Sequence, residues 1–284
     1  MDSRPIELIA GDLAPGDAAA RDFDWSGLRV QRIRSPAHPL FAAVYERLWR
    51  EFGGRGEMER QAVIAARLAW DPARPIGDHA LRYEMLAVLR GDQLVAVRDH
   101  TAIAPQHPSA AVIVHLSHVI VEPSLRGSGL AGWLRALPVQ TARECVHRRG
   151  DPAGITLVAE MEHPDGVTPM VGARLRSYQR AGFLMIDPHA VPYHQPDFRH
   201  ADAIDGSAIE PLPLALLVRR IGREAERTMA ADEVREIVAA LYAMFALHVR
   251  ADHMAPLWAL LQRIPPGDRR IALHRPCGDD ERPQ

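Results

Sequence analysis

The chain has 284 residues, enough for one large domain or two small ones, and 34 basic against 36 acidic residues leave a formal charge of -2. That near-balance gives no electrostatic reason to expect nucleic acid or an anionic membrane as partner. All of the Lys-plus-Arg total is Arg, and Asn is absent as well as Lys, which excludes a lysine Schiff base and a Walker phosphate loop.

Two cysteines, Cys145 and Cys277, cannot build a disulfide framework, and no apolar run reaches membrane-spanning length. The opening Met1-Asp2-Ser3-Arg4-Pro5 lacks the basic-then-apolar order of a signal peptide, so the expectation is a soluble cytoplasmic protein.

Residues 1–30, rich in Gly, Asp, Ala and Pro, read as a surface segment with an edge strand at 6–10. Leu40, Val44, Leu48 and Phe52 recur at helical spacing until Gly53-Gly54, and a second helix is expected over 57–70. Residues 83–90 and 94–103 read as a hairpin about Gly91-Asp92. The β-branched run 111–121 reads as one central strand, with His115 and Ser117 on one face and His118 on the other. A helix is expected over 130–149, its last turn carrying His147, Arg148 and Arg149 before Gly150.

Further on come a buried strand at 155–161, a short helix at 173–181 stopped by Gly182, a strand at 183–186, a long loop over 187–210 and a returning strand at 212–218. From Ala231 the pattern is helical, and the polar, Pro-rich tail after Ile264 reads as loose. The fold class is therefore α/β, a mixed sheet with helices on its faces. The domains read as 1–30 (surface segment), 31–222 (main domain), 223–266 (helical extension) and 267–284 (tail). The apolar stripe of the extension docks on its own sheet or, as the alternative, forms a homodimer contact.

Gly127, Gly129 and Gly132 stand between a buried strand and a helix, where glycines allow positive φ and close ligand approach, and helix-start amides suit a pyrophosphate. Gly127 to Gly132 match the dinucleotide pattern G-x-G-x-x-G. The context disagrees: Glu122 to Arg126 intervene after the strand, and the acidic residue the motif needs falls at Asp151-Pro152, before the next strand begins.

The longer stretch Val119-Ile120-Val121-Glu122-Pro123-Ser124-Leu125-Arg126-Gly127-Ser128-Gly129-Leu130-Ala131 resembles the acetyl-CoA signature of the GNAT (GCN5-related) N-acetyltransferase superfamily, with Arg126, Gly129 and Ala131 in its fixed places. Downstream, Tyr178-Gln179-Arg180-Ala181-Gly182-Phe183 resembles that family's short helix, and the resemblance covers about residues 37–220. It implies a mostly antiparallel sheet splayed at the cofactor site and transfer of an acetyl group from acetyl-CoA to a primary amine on a small molecule or peptide.

By the same resemblance Val119, Ile120 and Val121 line the pantetheine arm, and Arg126, Gly127, Ser128, Gly129, Leu130, Ala131 and Gly132 hold the pyrophosphate. Tyr178 protonates the leaving thiolate. The proton acceptor stays open among His115, His118 and Glu160. The Asn that many members carry before the short helix is missing, and Thr168 is the stand-in available. Tyr193, His194, Asp197 and Phe198 are candidates to line the acceptor pocket. His189, His194 and His200 lack metal-ligand spacing, so no metal is expected. A catalytically silent acyl-CoA-binding module and a dinucleotide oxidoreductase are the rival readings.

Overall fold

A computed structural model describes residues 6–107, 110–146 and 154–278. The chain forms two compact units, Met1–Ile155 and Thr156–Gln284.

In the first unit, strands β1 (Leu28–Ile33), β2 (His79–Arg90), β3 (Gln93–Pro105), β4 (Val112–His115) and β5 (Val119–Val121) join helices α1 (Phe41–Phe52), α2 (Gln61–Arg67), α3 (Leu130–Ala136) and α4 (Pro138–Val146). The order is β1-β2-β3, with β4 and β5 both paired to β3, every pairing antiparallel. The expected hairpin forms on Gly91, whose φ of +58° only glycine takes readily, and its arms run longer than expected, from His79 to Pro105.

Helices lie on both faces of this sheet. On one, Leu86, Val88 and Ala96 pack with Leu130 and Leu134 of α3, and His100 Nε2 lies 2.8 Å from Thr141 Oγ1 of α4. On the other, Tyr83 and Asp99 look toward α1 and the chain leading into α2.

Several boundaries differ from expectation for local reasons. No strand forms at 6–10; the alternating Leu28-Arg29-Val30-Gln31-Arg32-Ile33 supplies the edge instead and pairs with β2 along its whole length. Residues 10–12 and 15–22 form 3-10 turns that lie along α3 and α4, tied by Asp12–Arg143, Asp17–Arg135 and the Trp133 indole donating to the Ala20 carbonyl at 2.6 Å. The helix expected over 130–149 divides at Pro138, which has no N–H to give the preceding turn; residues 147–153, with the expected helix end, lie outside the described residues.

The second unit holds β6 (Ile155–Met161), α5 (Pro169–Arg180), β7 (Leu184–Ile186), β8 (Tyr193–Gln195), α6 (Ala201–Asp205), β9 (Leu212–Arg220), β10 (Thr228–Ala230), α7 (Ala231–Phe245), α8 (Ala251–Arg263) and β11 (Arg270–His274). Strands run β6-β9-β7-β11-β10 with β8 on β9, antiparallel throughout. The tail is not loose up to His274: β11 pairs with both β10 and β7, and buries Ile271 and Leu273. The α/β class and the mostly antiparallel sheet agree with the sequence reading. Among the described residues no helix is long and apolar enough to cross a membrane.

Candidate functional site

The run expected as one strand is broken. His115 pairs with Thr101 and Val119 with Arg98, so three residues, Leu116 to His118, face only two, Asp99 and His100. That extra residue is a β-bulge.

Beyond it, Asp99 N–H donates to the His118 carbonyl and Glu122 N–H to that of Val95, which places residues 118, 120 and 122 in the hydrogen-bonding positions toward β3. Ile120 therefore turns its backbone inward, while Val119 and Val121 direct theirs to the opposite edge. Among the described residues β5 pairs with no strand other than β3. The Val121 carbonyl accepts from Arg126 Nε at 3.2 Å, so Arg126 braces the turn that follows.

A 3-10 turn at Pro123–Leu125 leads into the glycine turn, where Gly127 and Gly129 have φ of +78° and +103°. Gly132 N–H bonds the Gly129 carbonyl and Ser128 N–H that of Leu125, while Leu130 N–H reaches Ser128 Oγ at 3.4 Å. The amides of Gly127, Gly129 and Ala131 form no hydrogen bond among the described residues. Three backbone donors at a helix start are a place where a diphosphate is bound. Leu130 itself is fully buried and serves the core.

The glycines answer to different neighbours. A Cβ on Gly129 would sit 2.9 Å from Ala20 Cα, and one on Gly132 3.0 Å from Asp17 Cγ, so the N-terminal 3-10 turn demands both. Only at Gly127 would a side chain enter open space.

The bulge also turns His118 onto the face of His115 and Ser117, contrary to the strict alternation expected. Its Nδ1 lies 3.1 Å from Asp99 Oδ1 and its Nε2 3.0 Å from the Glu57 carbonyl oxygen. Both partners only accept, so both ring nitrogens carry protons. Burial opposes that charge, yet Asp99 pulls the imidazole up to about 9, while His118 and the Tyr83 hydroxyl hold Asp99 at about 2 against its own burial. Phe52 lies 4.6 Å from the His118 ring. A doubly donating imidazolium has no lone pair for a substrate proton, so His118 is a buried tie between β3, β5 and the chain before α2. His115, 2% exposed, has its Nδ1 3.3 Å from Ser117 Oγ. Asp99 and Tyr83 were missed in the sequence, although Arg98-Asp99-His100 in the middle of an apolar strand was a visible signal.

In the second unit Tyr178 is buried near the end of α5, its ring edge-on to Phe183 at 4.9 Å. Thr168 stands before the first turn of that helix with its hydroxyl donated to Asp165, so it does not offer a spare donor in place of the missing Asn. Glu160 accepts the Tyr193 hydroxyl at 2.5 Å and Gln195 Nε2 at 3.0 Å. Of the loop candidates, Tyr193 and Phe198 are buried, Asp197 pairs with Arg199 inside the loop, and His194 is half-buried. Gln195 was missed; a lone polar residue in a loop carries no pattern. No metal-holding group of three His, Cys, Asp or Glu occurs among the described residues.

No protein-family model and no curated protein matches the chain. Among solved structures it is similar to IAA acetyltransferase from Bacillus cereus ATCC 14579, at 14% identity over 68% of this chain and 99% of that one, with a TM-score of 0.36. A GNAT family acetyltransferase from Elizabethkingia anophelis with acetyl-CoA bound is similar at 12% identity over 68% and 97%, TM-score 0.38. Arabidopsis thaliana Naa50 in complex with a bisubstrate analogue is similar at 10% over 68% and 98%, TM-score 0.39. Likenesses this distant carry no weight for activity, which rests on the residues themselves.

Proposed function

We propose that the chain is an N-acetyltransferase that moves an acetyl group from acetyl-CoA directly to a primary amine. The observation that carries this reading is a strand, β5, that among the described residues is an edge, and whose outward backbone at Val119 and Val121 is followed within six residues by the first of three amides unbonded among those residues, Gly127, Gly129 and Ala131. An amide-bearing pantetheine arm pairs with such an edge, and a diphosphate takes such amides. A dinucleotide has a diphosphate but no arm to occupy the strand edge.

Acetyl-CoA supplies the activated thioester. The roles proposed for the chain follow from what the reaction needs. An ammonium must lose a proton before attack, and Glu160 is the acceptor proposed, because His118 has no lone pair to offer. The N–H of Val119 is proposed as donor to the thioester oxygen as charge develops there. As the C–N bond forms and the C–S bond breaks, Tyr178 is proposed to give its proton to the departing sulfur and to be made whole by the proton that the acylated nitrogen sheds.

Calorimetric titration with acetyl-CoA and with NAD, followed by thiol release over a panel of amines, tests the proposal. Binding of acetyl-CoA with amine-dependent thiol release is the expected result. Binding of NAD instead, or of acetyl-CoA with no release to any amine, overturns it, the latter in favour of a silent acyl-CoA-binding module.

A further inference from the structure

Glu160 is the one candidate proton acceptor whose carboxylate is gripped through both oxygens. Register explains how. Glu160 pairs with Leu216 of β9, and Tyr193 pairs with Leu214 two residues earlier on that strand. Gln195 pairs with Leu212, two residues earlier again. Paired residues share a face and alternate residues return to it, so Glu160, Tyr193 and Gln195 all project from the same side of β9's ladder. The Tyr193 hydroxyl then meets Oε1 and the Gln195 amide meets Oε2.

The grip is backed by the C-terminal helices. The Tyr242 ring of α7 stacks on Tyr193 at 5.4 Å and 17°, its hydroxyl accepts the His194 N–H, and Trp258 of α8 stands edge-on to Tyr242 at 5.6 Å. Gln195 is 6% exposed, and its Oε1 has no hydrogen-bond partner among the described residues. A buried amide with one unanswered acceptor is a poor choice for packing alone. Its donated bond to Glu160 is what the position gains.

We infer that Tyr193 and Gln195 are positioning residues that fix the Glu160 carboxylate for the acceptor amine, and that α7 and α8 belong to this apparatus through Tyr242. The inference rests on the transferase reading. Donors on both oxygens favour the ionised form and fix its orientation. The Tyr193 and Tyr242 phenols both face Glu160, and both are pushed upward, burial first and the Glu160 charge among the further causes. Neither ionises in the range where a carboxylate limb is read.

The test compares wild type with Tyr193→Phe, which keeps the stack, and Gln195→Met, which keeps the volume. The expected result is kcat lowered about tenfold, the acid limb of kcat/KM moved to higher pH, and the KM for acetyl-CoA unchanged. Glu160→Gln removes that limb altogether. An acid limb that stays in place, or a KM for acetyl-CoA that rises together with the fall in kcat, overturns the inference. Should Tyr193→Phe fail to fold, Gln195→Met decides alone by the same readouts. A wild-type chain inert toward every amine overturns the transferase reading and the positioning role with it, whereas losses confined to the variants bear on the grip itself.

Discussion

The imidazole of His118 and the carboxylate of Asp99, 3.1 Å apart and both buried, form a charged pair on the α1 side of the first unit's sheet. The second imidazole nitrogen reaches the Glu57 carbonyl, and the Tyr83 hydroxyl closes on the far oxygen of Asp99 at 2.8 Å. Nearby, Glu59 pairs with Arg67 in equally dry surroundings. Charges this far from water are tolerated because each finds both a counter-charge and hydrogen bonds. The pair fixes the chain between α1 and α2 to the strand just before the glycine turn.

Stability should therefore depend on pH in a stated way. His118 stands at about 9 folded against 6.5 for the free group, so its contribution is whole below 6.5 and vanishes as pH rises through 9. Asp99, at about 2 against 3.8, contributes above 3.8 and ceases to as pH falls through 2. Urea unfolding at pH 6 and pH 10 should show an alkaline loss on the order of 3 kcal/mol, since each tenfold gain in proton affinity on folding is worth about 1.4 kcal/mol. Asp99→Asn should lower stability by about 3 kcal/mol at neutral pH, leaving a buried imidazole without its partner, and flatten the alkaline loss. An alkaline loss of the same size in the variant refutes the pairing.

The sequence was legible where period and punctuation agree. The hairpin about Gly91, the glycine turn and the Tyr178 helix before Gly182 all stand where side-chain alternation and glycine placement put them. It was opaque where one residue changes the phase. The bulge before Val119 reverses the facing of His118, and nothing in 111–121 marks it, because β-branched residues suit either register. The pairing of β11 was hidden for another reason: Arg270-Ile271-Ala272-Leu273-His274 is short and polar-flanked, and only β7 and β10 give it a place. The same holds for the Glu160 grip, which depends on β9 setting two strands in register.

Gly127 offers the cleanest probe of the diphosphate cradle. Its φ of +78° makes any side chain strained by roughly 1 kcal/mol, but Asn and Asp bear it best, and nothing lies within 4 Å of the new Cβ. Gly127→Asn and Gly127→Asp share the strain and differ in charge. A carboxylate about 5 Å from a diphosphate repels it by roughly 1.4 kcal/mol or more at a half-wet site, so Asp should bind acetyl-CoA about tenfold more weakly than Asn by calorimetry. Equal affinities would place the diphosphate elsewhere.

Gly132→Ala sets helix propensity against packing. A helical alanine is favoured over glycine by about 1 kcal/mol, whereas an overfilled contact costs about 1–3 kcal/mol. The new Cβ would stand 3.0 Å from Asp17 Cγ and 3.2 Å from Ala20 Cβ, in a segment held by the Asp17–Arg135 pair and by Trp133. Packing should win, with net destabilisation of about 1 kcal/mol in urea. A stabilised variant would mean that the N-terminal segment lies less tightly on α3 than these distances require.

Tyr178→Phe isolates one hydroxyl. The edge-on contact with Phe183 at 4.9 Å depends on the ring alone, so the variant keeps that contact. If the hydroxyl delivers the proton that sulfur needs on leaving, kcat should fall by about two orders of magnitude while calorimetry gives an unchanged affinity for acetyl-CoA. Varying the leaving group sharpens the test: an acyl donor whose thiol is more acidic needs less help, so the ratio of wild-type to variant rates should shrink toward unity along a series of acetyl thioesters of falling thiol pKa. A ratio that stays constant along that series would take Tyr178 out of the chemical step and leave it a packing residue of α5.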